Sequence, residues 1–175
     1  MILCGYLHIL TGPMLEAYPE RIINIHDSDL TLTDALGRPK YRGLHAVRDA
    51  VFAGERETRS TVHLVTPEVD VGPPLFRSWA FPTHPLIDAA RRWRSTDILN
   101  AYAYAQREWM MRASWGQLLA TAIDLYGKRR KETGRDGRGR TPPLHVRLCP
   151  PLSAPVRPCP PLSPPVRRSG GSRPC

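Results

Sequence analysis

The rhythm of apolar and polar positions changes several times along this chain, and each change marks an element. Ile22, Ile23 and Ile25 form a short β-branched run with Asn24 and His26 alternating among them. That pattern predicts a buried strand over Ile22–His26 that delivers an amide and an imidazole at its C-terminal end. Such a strand is built like the core of an α/β active site, where ligands sit outside the carboxyl ends of parallel strands. The same pattern also fits an Asn and a His that are merely satisfied where a loop begins.

Other stretches follow the same logic. Met1–Tyr6 and the alternating, β-branched Thr61–Val65 are expected strands. Leu75–Phe81 returns as another, antiparallel to its predecessor because the turn Thr66–Pro74 between them is short. Thr11-Gly12-Pro13 starts a short helix with Met14, Leu15 and Tyr18 on its apolar side, and Pro19 ends it. Gly43–Ala53 is a second helix, with Val47, Ala50 and Val51 at helical spacing and Gly54 at its end. A third opens at Ser95-Thr96-Asp97 and carries Leu99, Tyr102, Ala105, Trp109, Leu118, Ala122 and Leu125 at three- and four-residue spacing up to Tyr126. Gly116 is its point of breakage or bending. Asp27–Arg42 is a long polar loop of the kind that is usually functional or mobile. Glu55–Ser60 is a charged connector. The whole is an α/β pattern.

Composition changes this picture only beyond residue 127. Residues 128–175 hold twelve Lys/Arg against two Asp/Glu, whereas residues 1–127 hold thirteen against fourteen. The formal charge of +9 therefore belongs to the tail. The tail contains a ten-residue near-repeat, Arg147–Val156 and Arg157–Val166, dense in proline. Such composition blocks helices and ladders and cannot bury a core, so the domain is expected to end at 127 and residues 128–175 to be disordered. A Pro-rich ligand for an SH3-type domain and a plain linker are both open readings. The tail lacks aromatics for base stacking, so specific nucleic-acid binding is not expected.

No apolar run approaches the roughly 20 residues of a membrane span, and no secretory signal is visible. Of the four cysteines, Cys4, Cys149, Cys159 and Cys175, only Cys4 lies in the globular part. No disulfide framework or metal-ligand spacing emerges, and a cytoplasmic setting is expected.

Four segments together carry a resemblance. They are Cys4-Gly5-Tyr6-Leu7-His8-Ile9-Leu10, Ile23-Asn24-Ile25-His26, Gly43-Leu44-His45 and Thr61-Val62-His63-Leu64-Val65-Thr66-Pro67-Glu68-Val69-Asp70-Val71-Gly72-Pro73. In order and spacing they resemble the formyltransferase family, in particular the glycinamide ribonucleotide (phosphoribosylglycinamide) formyltransferases. Asn-x-His followed by Thr-Val-His and Asp-x-Gly-Pro is specific; Asn-Ile-His alone is not. The resemblance covers residues 1–126 and implies the C-terminal part of a Rossmann-type three-layer fold with a mostly parallel sheet, lacking the Gly-rich N-terminal half.

The function implied by the resemblance is formyl transfer from the cosubstrate 10-formyltetrahydrofolate to a small-molecule amine, glycinamide ribonucleotide, in purine synthesis. Asn24, His26 and Asp70 match the family's catalytic trio. Amine attack on a formyl carbon makes a tetrahedral oxyanion, to which Asn24 and His26 can donate. Asp70 can keep His26 charged and help move the amine proton. No metal is needed. His63 matches a supporting histidine and also fits a plain core histidine; His45 fits either a supporting or a surface role. The folate is expected against Tyr6, Leu7, His8, Ile9 and Leu10, and against Thr66, Pro67, Glu68, Val69 and Asp70.

Departures from the family pattern are specific. His8 replaces an arginine, Asp27-Ser28-Asp29-Leu30-Thr31 loses two prolines, and Arg59 replaces a glycine. They leave open another amine, such as an amino sugar or an aminoacyl-tRNA, and also a non-catalytic remnant or interaction module. An unpaired edge on the first strand makes self-association an expectation.

Overall fold

The computed structural model describes residues 1–6 and 8–133. Its elements run β1 (Ile2–Leu3), α1 (Gly12–Ala17), β2 (Ile23–His26), α2 (Ala46–Ala53), β3 (Glu57–Thr58), β4 (Thr61–Leu64), β5 (Pro74–Arg77), β6 (Phe81–Pro82), α3 (Ile87–Arg92) and α4 (Thr96–Met110). A π-helical turn (Met111–Trp115) then leads into α5 (Gly116–Thr133). The main sheet has the order β1-β2-β4-β5, and β3 and β6 form a separate two-stranded ladder.

The expected mostly parallel sheet is corrected to a small mixed one. β1 and β2 are parallel, but β2–β4 and β4–β5 are antiparallel. The reason lies in the connection. His26, the last residue of β2, pairs with Thr61, the first of β4. The chain thus leaves and re-enters the sheet at one end, and α2 is not a crossover to the other end, which a parallel pairing would require.

Antiparallel pairing sorts the side chains by face. Ile23 faces Leu64 across the ladder and Ile25 faces Val62. All four are buried in one cluster with Leu75, Trp115, Leu118 and Ala122, so α5 and the π-turn cover this side. Each such side chain contributes about 1.5–3 kcal/mol on burial. Asn24 faces His63 on the other side. A second core joins Val47 and Val51 of α2 to Phe81, Ile87, Ala90, Leu99, Ala103 and Met110.

Several boundaries differ from the sequence reading. The first strand is limited to Ile2–Leu3 rather than Met1–Tyr6. α1 buries none of its residues, and Met14 and Tyr18 are exposed. Leu75–Phe81 is split between β5 and β6, because Ser78 turns the chain by hydrogen-bonding to Ser60. The connector Glu55–Ser60 contains β3. Gly54 caps α2 in the left-handed region at φ 92°, as its position suggested. Gly116 does not break the long helix, which widens to a π-turn just before it. α5 continues through Lys128 to Thr133, past the boundary expected at 127. Leu7, the remainder of the basic tail and its proline-rich repeat lie outside the described residues.

The loop 27–42 is ordered by its own bonds rather than slack. Ser28 Oγ donates to the Tyr41 carbonyl at 2.7 Å, Thr61 Oγ1 donates to the Ser28 carbonyl at 2.6 Å, and Thr33 bridges Pro39. Leu30 and Tyr41 are buried beneath it.

Gly72 is required by close approach. A Cβ there would stand 1.8 Å from the Leu64 carbonyl oxygen. Gly72→Ala is therefore expected to lower stability by about 1–3 kcal/mol through backbone displacement, measured by urea unfolding. An unchanged midpoint would show that the strand and the turn 66–74 can separate freely.

Candidate active site

β2 carries Asn24 and His26 to a cavity of about 340 Å³, within the range of small-molecule sites. His63 arrives from β4 opposite Asn24, where a β-bulge between Val62 and His63 re-aims the strand. Asp70 arrives from the turn after β4, in the left-handed region at φ 55°. That conformation is uncommon for a residue with a Cβ but tolerated by Asp, and such outliers cluster at functional sites.

The four side chains form one array around the Asp70 carboxylate. Oδ2 lies 3.4 Å from His26 Nδ1 and accepts the Gly43 backbone N–H at 2.8 Å. Oδ1 lies 3.5 Å from His63 Nε2. The Leu64 carbonyl, which can only accept, is 2.8 Å from His63 Nδ1, so that nitrogen carries hydrogen. His63 Nε2 also lies 3.4 Å from the Asn24 amide nitrogen; it accepts from Asn24 when bare and donates to Asp70 when protonated.

Burial opposes ionisation of Asp70, but the His63 hydrogen bond, the neighbouring His26 and the Gly43 N–H outweigh it. The carboxyl sits below the usual carboxylate range. His26 is also displaced downward. Burial is the main cause, reinforced by His63 and Arg107 and only partly offset by Asp70 and the Tyr41 carbonyl. Asp70 thus favours the charged imidazole, as expected of it, while burial works against that charge and the net displacement is downward. Yet both ring nitrogens face acceptors, Asp70 on one side and the Tyr41 carbonyl at 3.4 Å on the other. The surroundings therefore stabilise a proton on this ring once a developing negative charge calls for it.

The two loops expected to hold folate also meet here. Tyr6, His8, Ile9 and Leu10 line one wall, and Thr66, Pro67, Glu68, Val69 and Asp70 line the facing one. Leu7 is outside the described residues. His45 is not brought to the cavity. It precedes α2 as its N-cap and is exposed, while its neighbours Gly43, Leu44, Ala46 and Val47 line the pocket.

Sequence reasoning did not identify three members of the site. Asp27, directly after His26, accepts from Arg107 Nε at 2.8 Å and from Trp115 Nε1 at 3.0 Å, and both partners line the cavity. Eighty residues separate Asp27 from Arg107, and no local spacing connects them. The π-turn carries Trp115 to this contact; such turns frequently occur at functional sites.

A cavity lined by a buried carboxylate, two imidazoles and an amide offers donors and acceptors of the kind that group transfer of the acyl type uses. The sequence comparison makes the assignment specific. Residues 1–89, half of the chain, match the family model described as formyl transferase, and the chain belongs to that family. It is 37% identical over 78 residues to the phosphoribosylglycinamide formyltransferase of Escherichia coli, covering 45% of this chain and 33% of that enzyme. It is 40% identical over 70 residues to the trifunctional purine biosynthetic protein adenosine-3 of Drosophila melanogaster, covering 40% of this chain and 5% of that protein. Among solved structures, the phosphoribosylglycinamide formyltransferase of Bacillus halodurans aligns at 26% identity and a TM-score of 0.42, over 65% of this chain and 55% of that one. The matched segment thus spans about a third of the bacterial curated relative. No helix among the described residues is long and apolar enough to cross a membrane.

His26 and Asp70 each contribute to the acid response. The folded-state pKa of His26 lies below its unfolded value of 6.5. The unfolded chain therefore binds more protons, and His26 costs stability as pH falls below that value. Asp70 adds stability above its unfolded value of 3.8 that is lost as pH falls through its lower folded value. NMR titration is expected to place His26 half-protonation below pH 6.5. In Asp70→Asn it moves lower still, because the offsetting charge is gone. A midpoint at or above the ordinary histidine value would show the ring to be solvated or held charged.

Proposed function

We propose that this chain carries the catalytic machinery for folate-dependent formyl transfer from 10-formyltetrahydrofolate to an amine, with glycinamide ribonucleotide as the substrate, in cytoplasmic purine synthesis. One observation supports this reading above the rest: Asn24, His26 and Asp70 converge in a single cavity walled by the two expected folate loops.

In this reading the amine lone pair attacks the formyl carbon and forms a C–N bond. The carbonyl oxygen becomes an oxyanion, to which the Asn24 amide and a His26 N–H donate. Collapse breaks the bond to N10 of the folate. The proton lost by the attacking ammonium is accepted by Asp70, directly or through water, and is delivered to N10. Backbone groups of 66–70 read the edge of the pteridine ring, and Leu10 covers its face; Leu7, expected there too, lies outside the described residues. The three-layer Rossmann-type architecture and the substrate phosphate site implied by the family resemblance are part of the same proposal for the whole enzyme.

Asp70→Asn is the decisive variant. Asn tolerates the left-handed backbone and still accepts from Gly43, so folding is expected to survive. Transfer from 10-formyltetrahydrofolate should fall by about 10²–10⁴-fold. Retained turnover would remove Asp70 from the chemistry.

Association through the first strand is the second element of the proposal. β1 is a terminal strand of the sheet, with Met1, Ile2 and Tyr6 exposed. Sedimentation of the full chain is expected to show concentration-dependent self-association that Ile2→Lys reduces. A monomer at all concentrations would refute it.

A further inference from the structure

Asp27 sits where the apolar face of β2 calls for an aliphatic side chain. It follows Ile25 by two positions, and its partner Trp115 belongs to the same core cluster as Ile23 and Ile25. Burial raises the Asp27 carboxyl above the usual carboxylate range, with Arg107 and Trp115 offsetting only part of that. An ion pair in such a place is not the most stable filling, since apolar side chains of similar volume are often neutral or better. What the pair supplies is direction. Arg107 Nε donates to Asp27 Oδ2 at 2.8 Å, and the Trp115 indole N–H points between Asp27 Oδ1 at 3.0 Å and Ser60 Oγ at 3.2 Å. Asp27 follows His26, Ser60 precedes Thr61, and His26–Thr61 is the last rung between β2 and β4. One indole thus pins both strands beside that rung.

The helix geometry makes this grip possible. Arg107 and Trp115 are eight positions apart, which sets them about 80° apart around an uninterrupted α-helix. The π-turn takes up roughly one extra residue, so the two count as about seven α-helical steps and share a face. His26, by contrast, has weak holds of its own. Its ring nitrogens lie 3.4 Å from Asp70 Oδ2 and 3.4 Å from the Tyr41 carbonyl, beyond the ~2.9 Å of a strong hydrogen bond. Asp27, one residue on, makes the shorter contacts.

We propose that Asp27 is a positioning residue: clamped by Arg107 and Trp115, it fixes the end of β2 and so aims the His26 ring at the reacting carbonyl. Asp27 takes no part in bond making, and its role rests on the formyl-transfer reading. Because the clamp sets direction rather than affinity, its loss lowers kcat and leaves KM for the folate nearly unchanged.

The test uses the full chain with 10-formyltetrahydrofolate and glycinamide ribonucleotide. The double variant Asp27→Leu with Arg107→Met replaces the pair by apolar groups and leaves no buried charge alone. Its melting temperature is expected to equal or exceed that of the wild type, while kcat falls about 10²-fold, the scale of a misplacement near 1 Å. Arg107→Lys, which keeps a cation for Asp27, should recover part of the kcat that Arg107→Met loses. Trp115→Phe, which removes the indole N–H and keeps an aromatic ring in the core, should lower kcat in the same direction as the double variant. Wild-type kcat in a folded double variant would overturn the proposal.

A second readout is independent of turnover. The ring ¹H–¹⁵N signals of His26, assigned by their loss in His26→Gln, should be sharp in the wild type and broadened by exchange in the double variant. Unchanged ring signals in the folded double variant overturn the proposal whatever the rate. If the wild type transfers no formyl group, the transfer reading fails and the ring signals alone decide the positioning. If the double variant does not fold, Asp27→Asn, which keeps the volume and loses one of the two acceptors, carries both comparisons.

Discussion

The Asp70 carboxylate is the contact on which the site depends. It is a buried anion on a strained turn, and it accepts from Gly43 while facing His26 and His63. Three separate segments, the end of β2, the entry to α2 and the middle of β4, are thereby tied to one charge. A buried carboxylate persists only when its surroundings compensate it. The same compensation fixes where a substrate can meet the imidazole and the amide.

The sheet supplies the frame for that contact. Pairing Asn24 with His63 and Ile25 with Val62 puts polar groups on one face and apolar groups on the other. A one-residue slip would exchange the faces and bury the site among Leu118 and Ala122. The apolar side therefore holds the register that the chemistry needs. Gly72, packed on the Leu64 carbonyl, allows the following turn to return close enough to present Asp70.

The Asp27 network shows how a helix remote in sequence joins the site. The π-turn lies against the sheet core and α4 against α2, and together they carry Arg107 and Trp115 to a carboxylate next to His26. Arg107 also adds a small downward push to the His26 pKa. Changes along this helix can thus tune the imidazole without touching it.

Much of this was already determined by the residues themselves. The trio and the two folate loops rested on the family resemblance, whereas the Ile-rich strand and the α2 helix with its Gly54 cap follow from local pattern. Their causes are short-range: β-branching, turn chemistry and helical periodicity act within a few residues. Tertiary structure alone decided the rest. The direction of β4 depends on which end of β2 the chain returns to, and no residue in the strand encodes that. The downward displacement of His26 results from burial, with opposing contributions from β4, the turn at Asp70 and α4. His45 turned away because a helix start presents its neighbours Ala46 and Val47 to the cavity instead. Asp27, Arg107 and Trp115 form a unit only once α4 and the π-turn pack beside β2, since their contact is made across more than eighty residues of chain.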